Sequence, residues 1–180
     1  MVTACAVVLA CVGIERLVEL GLSTRHAAWS FARGGIEFGQ DHLMAMKVLH
    51  TAFLLGCLYE TYVTGGHWQR QLGPIWVGLA LSAQALRYWC ILTLGQRWNI
   101  RVIVVPDLAP VVRGPYRFFR HPNYVAVCLE GIALPMVFGA WRTALIFTCL
   151  NAVLLRRRIA CENQAIAKIC GPYVFDAQLS

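Results

Sequence analysis

Three stretches of this chain, residues 2–22, 43–63 and 74–94, are each unbroken enough in apolar character and long enough to span a bilayer as a helix, which takes roughly 20 residues. A fourth apolar region, residues 124–155, is too long for one upright helix and is interrupted by Pro135, Gly139 and Arg142. It reads as two spans joined by a tight turn at 137–142. The sequence therefore predicts an all-α integral membrane protein of about five transmembrane helices, with a helical hairpin at spans 4 and 5. Composition agrees, since 58% of the 180 residues are hydrophobic and 14% are charged, an apolar excess for a soluble domain.

The first span lacks the basic start of a signal peptide, and Glu15, Arg16 and Glu19 stand where a cleavage region would lie; a retained anchor is expected. Orientation follows from the loop cations. With the N-terminus outside, Arg25, Arg33, Arg97, Arg101, Arg113, Arg117, Arg120, Arg156, Arg157, Arg158 and Lys168 face the cytoplasm, against Arg70 and Arg142 outside. That asymmetry places those segments on the cytoplasmic side of the membrane. The net charge of +7 is accounted for by this rule and by anionic headgroups, so membrane lipids are expected partners and nucleic acid is not. The 8 cysteines include no CxxC pair, and there is no HExxH. They read as small apolar filler, and neither metal nor a disulfide framework is expected.

Charges inside spans cost roughly 2.5–3.5 kcal/mol each on insertion scales and need a pair or a purpose. Arg16 and Glu19 are spaced i,i+3 and can bind helices together. His42, Met46 and His50 share a face of the second span, where a hydrogen-bonded structural role is the commoner one. Arg87 requires a partner, with Glu60 and Glu130 as candidates.

The long connector 95–123 contains "RWNIRVIVVPDLAPVVRGPYRFFRHPNY". Pro106, Pro110 and Pro115 forbid a long helix, and residues 101–105 alternate too weakly to mark a strand. Irregular backbone at a membrane face must find hydrogen-bond partners. An interfacial belt needs aromatics and cations but has no use for His-Pro-Asn-Tyr, so the segment reads as a site. Beyond the last span, Arg158 and Glu162 at i,i+4 have the spacing of an ordinary surface ion pair.

Together, "GPYRFFRHPNY" and the later "RIACE" resemble the isoprenylcysteine carboxyl methyltransferase family of membrane enzymes. The GxYxxxRHPxY motif, shared with phospholipid N-methyltransferases, is met by Gly114, Tyr116, Arg120, His121, Pro122 and Tyr124, and R-x3-E by Arg158 and Glu162. The N-terminal "ERLVELGLSTRHAAWSFARGGIEFG" resembles a short bacterial branch associated with type III polyketide synthases, whose members O-methylate alkylpyrones and alkylresorcinols. The resemblance implies S-adenosylmethionine as cofactor, held by a cytoplasmic cofactor-binding segment and not by a Rossmann domain. The implied cradle is Tyr116, His121, Pro122, Asn123 and Tyr124, the approach from Leu108 to Val111, and Glu162, with Arg158 at the substrate. Family members often carry a second glutamate after the first; this chain has Asn163.

On this reading residues 1–94 are the N-terminal helices and 95–180 the catalytic region. Methyl transfer is an in-line displacement, and alignment can be worth roughly 7–11 kcal/mol. A carboxylate acceptor needs no base, whereas a phenol of pKa ~10 needs a cation such as Arg158 or a base such as Glu130 or His121. Glu130 can equally serve to neutralise Arg87. A lipophilic acceptor entering from the bilayer is expected, an alkylresorcinol or alkylpyrone hydroxyl before a prenylcysteine carboxylate. Phosphatidylethanolamine N-methylation and a non-catalytic lipid-binding scaffold are the alternatives.

Overall fold

The computed structural model describes residues 1–68 and 71–170, without the side chains of Asp41, His42 and Cys170. The expectations placed on His42, on Arg70 and on the tail 171–180 lie outside those limits. Helices α1 (Val2–Phe31), α2 (Asp41–Thr64), α3 (Gly73–Leu94), α4 (Pro122–Val137) and α5 (Trp141–Cys170) make the bundle. Two short strands, β1 (Ile36–Phe38) and β2 (Val102–Val104), pair at one end. Helices α3 and α4 begin with proline in the first turn, where its missing N–H costs nothing and its fixed φ favours the helix. Helix α2 stops at Gly65, whose φ of 74° is the left-handed cap that glycine supplies without strain.

Polarity runs the wrong way round for water. The outer surface carries Leu17, Leu55, Leu81, Leu145 and Val153, and Leu92 is 80% exposed. Buried positions include Glu19, Glu60, Thr61, Arg87, Asn151 and Arg158. An apolar jacket of this extent is a surface made for hydrocarbon. The interior is filled by Cys5, Leu9, Phe53, Cys57, Val127, Leu134, Phe138 and Phe147, drawn from α1, α2, α4 and α5 with the turn after α4. Gly131 lets α5 approach α4, for a Cβ there would stand 2.3 Å from the Phe147 ring.

By length and composition two helical stretches, Leu43–Thr64 and Gly73–Arg97, can cross a membrane. Helix α4 is apolar but has 16 residues, and α1 and α5, at 30 residues each, run well past the expected span ends and carry charge. The expected α4–α5 hairpin is present. Its turn contains Gly139 at φ 79°, and a Cβ there would lie 3.2 Å from the His67 carbonyl oxygen.

Glu60 explains how this hairpin docks on α2. Its carboxylate accepts from the backbone N–H groups of Arg142 at 3.1 Å and Thr143 at 2.8 Å, and from the Thr143 hydroxyl at 2.7 Å. A helix N-terminus leaves such donors unpaired, and a buried carboxylate from another helix satisfies them while facing the positive end of the α5 dipole. Glu60 is thus a cap and not the partner of Arg87. Glu60→Ala should lower stability by about 1.5–3 kcal/mol, the range for hydrogen bonds to a charged group, and Glu60→Gln by less. Thermal unfolding of the detergent-solubilised protein measures both.

Candidate active site at the end of the bundle

The connector between α3 and α4 is held as a layer across the bundle end by polar contacts to α1. The Ser23 hydroxyl donates to Asn99 Oδ1 at 2.7 Å and accepts from the Ile100 N–H at 3.1 Å. Asn99 Nδ2 donates back to the Ser23 carbonyl, and its Oδ1 also accepts from the Arg101 N–H. His26 Nδ1 meets the Trp98 carbonyl at 2.7 Å, so this nitrogen carries the proton, and Arg97 donates to the Ala109 carbonyl at 2.7 Å.

Residues 102–104 do form a strand, antiparallel to β1 with Ile36 opposite Val104 and Phe38 opposite Val102. Three residues are too few to show alternation; the available partner strand decides such a ribbon. Arg101 and Glu37 pair beside it at 3.4 Å.

The glycine of the first motif has a steric reason. Gly114 has φ 59°, and a Cβ would fall 2.5 Å from Thr93 Oγ1. This close approach carries Tyr116 into the bundle end, where burial, with Cys90 alongside, pushes its phenol well above the usual range. Pro122 is fully buried as the first residue of α4. It fixes the turn from His121, which stacks on Tyr124 with ring centroids 5.3 Å apart.

Tyr124 joins the two motifs. Its hydroxyl donates to Glu162 Oε2 at 2.5 Å and accepts from Arg158 Nε at 2.8 Å. Arg158 and Glu162, one turn apart on α5, are therefore bridged by a phenol and do not form the surface pair that their spacing allows. Arg158 is buried and donates also to the Ile100 carbonyl and to Met46 Sδ. His121 Nε2 lies 3.2 Å from Asn163 Oδ1, and His121 Nδ1 lies 3.7 Å from Glu162. Asn163 thus holds the histidine by an uncharged contact.

These groups line a cleft of about 230 Å³. Leu108, Val111, Tyr116, His121, Asn123, Tyr124, Arg158 and Glu162 all contribute to its wall. Pro122 does not, acting through the backbone instead. Glu130 does not either. It bonds Arg87, lies 3.7 Å from Arg16, and lines a separate small cavity with His50. The sequence missed Ser30, Arg97 and Trp98, which also line the cleft; nothing in local spacing marks them, since Ser30 lies on the extension of α1 and the contacts to His26 and Ala109 are what hold Trp98 and Arg97. Two polar atoms of the wall lack a hydrogen-bond partner among the described residues, the donor Trp98 Nε1 and the acceptor Asn123 Oδ1.

A helical bundle that is apolar outside and charged within, with a cleft at its end lined by residues of both motifs, has the architecture of a membrane protein. The chain belongs to the isoprenylcysteine carboxyl methyltransferase (ICMT) family, whose model matches residues 76–168, a stretch that includes both motifs. It is accordingly a membrane methyltransferase. An uncharacterized protein of Bacillus subtilis, YpbQ, is 34% identical over 156 residues, covering 85% of this chain and 90% of that one. An uncharacterized protein of Haemophilus influenzae is 24% identical over 164 residues, covering 91% and 95%. No solved structure matches the chain.

The Gly114 geometry yields a paired test. Gly114→Ala should lower the thermal midpoint and weaken ligand binding in the cleft by displacing Tyr116. Adding Thr93→Ala should recover part of both losses, because it removes the collision but not the strain of positive φ, which costs about 1–2 kcal/mol. Equal losses in the single and double variants would show that the collision is unimportant.

Proposed function

We propose that this protein is an S-adenosylmethionine-dependent O-methyltransferase acting on a lipophilic acceptor, with the hydroxyl of an alkylresorcinol or alkylpyrone as the favoured class. The observation that carries this reading is the Arg158–Tyr124–Glu162 bridge, which sets a cation and an anion on opposite sides of one phenol in a single cleft. The cleft suits the cofactor. Trp98 Nε1 and Asn123 Oδ1 offer an unmatched donor and acceptor, as a nucleoside edge requires. Leu108 and Val111 supply apolar wall, and Tyr116, His121 and Tyr124 supply aromatic faces. With Pro122 shaping the turn, these residues and Glu162 would hold it. When bound, S-adenosylmethionine supplies an electrophilic methyl group on a sulfonium.

Glu162 is the carboxylate available to face that positive charge. Arg158 holds the acceptor oxygen and favours its ionised form, lowering the pKa of a phenol or enol. Tyr124 fixes the spacing between the two. Buried Arg158 is costly unless paired, and its bonds to Tyr124, Met46 and Ile100 keep it in place. Glu130 acts in this reading as counter-ion to Arg87 and Arg16, not as the base. The preference for a hydroxyl over a prenylcysteine carboxylate rests on the N-terminal resemblance and on the buried cation, which a weakly acidic hydroxyl needs more than a carboxylate does. The five spans of this reading rest on the apolar runs, and the outside N-terminus and cytoplasmic cleft rest on the loop cations.

Calorimetry in detergent should show micromolar binding of S-adenosylmethionine. Glu162→Ala should weaken that binding about tenfold or more, the scale of one lost charge-assisted bond. Arg158→Ala should nearly keep it while turnover on alkylresorcinol falls about a hundredfold, the scale of a lost charge stabiliser. Identical effects of the two substitutions would reduce the bridge to a structural element. Mass spectrometry of products from alkylresorcinol, alkylpyrone, a farnesylcysteine analogue and phosphatidylethanolamine identifies the acceptor.

Reporter fusions test the orientation separately. Gly66 should report outside, and Gly114 and the C-terminus inside. An external Gly114 contradicts access to cytosolic cofactor.

A further inference from the structure

Arg158 is buried and charged, yet every described group that it bonds is neutral. Nε donates to the Tyr124 hydroxyl at 2.8 Å, Nη1 to Met46 Sδ at 3.3 Å, and Nη2 to the Ile100 carbonyl. Among the described residues it makes no ion pair, and the Glu162 carboxylate one turn further on is taken by the Tyr124 phenol. Buried arginines as a rule are paired with an acid. A guanidinium carries more N–H groups than these contacts use. Both Nη atoms therefore keep one for an acceptor oxygen in the cleft that Arg158 lines.

Tyr124 of α4 and Ile100 of the connector engage Nε and Nη2; among the described residues, Met46 of α2 alone engages Nη1. Met46 does not belong to the cleft wall, so it reaches a ligand there only through Arg158. Helix α2 is fixed against α5 at its far end as well, where the Glu60 carboxylate binds the N–H groups of Arg142 and Thr143. The sulfur is thus delivered to Nη1 by a helix held in register. A thioether is a weak, uncharged acceptor on an adaptable chain. It directs one N–H without cancelling the charge, whereas a carboxylate there would neutralise the guanidinium and leave less of its field for an acceptor. A leucine would fill the same space and direct nothing.

We propose that Met46 is a positioning residue for methyl transfer: its sulfur aims the Arg158 guanidinium at the acceptor oxygen and leaves the positive charge undiminished. The inference rests on Arg158 as the group that holds the acceptor, as read above, and brings a residue of α2 into the chemistry. It makes the effect of Arg158 depend on a hydrogen-bond acceptor at position 46 and not on the volume of the side chain there.

A nitrophenol bearing an alkyl chain tests this without turnover, because its ionised form alone absorbs in the visible. Bound to the detergent-solubilised protein saturated with S-adenosylhomocysteine, it should titrate about one pH unit or more below its value in detergent alone, the scale for an opposite charge close by. Arg158→Ala should abolish that shift. Met46→Leu, a volume-conserving swap, should remove most of it, while S-adenosylhomocysteine affinity by calorimetry and the thermal midpoint stay as in the wild type. Met46→Gln, whose amide oxygen can accept from Nη1, should bring the shift back. An unchanged titration in Met46→Leu, or no recovery in Met46→Gln, overturns the positioning role. A loss of S-adenosylhomocysteine affinity in step with the shift overturns it too, by making Met46 a structural residue. So does a wild type in which the nitrophenol titrates as in detergent, or fails to bind, while S-adenosylhomocysteine binds; the cofactor reading then stands. Failure of S-adenosylhomocysteine to bind the wild type strikes the cofactor reading first, and the inference with it.

Discussion

Arg87 sits 5% exposed in a helix apolar enough to cross a membrane, and the arrangement of α1, α3 and α4 depends on its being paired. It bonds Glu130 of α4 and lies 3.9 Å from Glu19 of α1. Arg16 closes the network, donating to Glu19 at 2.8 Å and reaching Glu15 and Glu130, and Gln84 of α3 bonds Glu15. Removing one member of such a network strands a buried charge, at about 3–5 kcal/mol. Packing of hydrocarbon against hydrocarbon discriminates poorly between helix registers in a bilayer. An ion network accepts one register, and the apolar jacket then has only to fit around it.

The same requirement builds the site. Backbone that leaves a helix at the membrane face must still bond its polar groups, and here Ser23 and His26 of α1, with Asn99 and Arg97 of the connector itself, do so. Extension of α1 to Phe31 is what puts Ser23 and His26 within reach. Extension of α5 likewise carries Arg158, Glu162 and Asn163 past the apolar stretch to meet Tyr124 and His121. Both long helices are therefore parts of the site as well as of the bundle.

Departures from apolar filling mark two depths. The upper one, around Tyr124, gathers charged and aromatic groups against an open cleft. The lower one, beside His50, Arg16 and Glu130, is a small cavity of about 20 Å³. Met46 touches both levels, through its sulfur and through its carbonyl, and a thioether on an unbranched chain adapts to such a junction.

Helix positions were legible in the sequence because apolar run length is a local property: the start by Pro74 and the break around Gly139 appear where punctuation placed them, and α4 begins at Pro122, two residues ahead of the expected 124. The residues assigned by resemblance converge in space, and eight of them line one cleft. Helix extensions were not legible, since charged residues past an apolar run look alike whether helical or loose. Nor were the β1–β2 ribbon, which depends on a partner strand more than sixty residues away, and the place of Trp98, whose carbonyl meets His26 of α1. Arg87 announced by itself that it needed an acid. Glu60 and Glu130 were equal candidates on composition, and only the packed bundle, by spending Glu60 on the exposed N–H groups of α5, decided which one it got. Local chemistry states what a residue requires, while the choice of partner is a distance, and distances between helices exist only after the chain has folded.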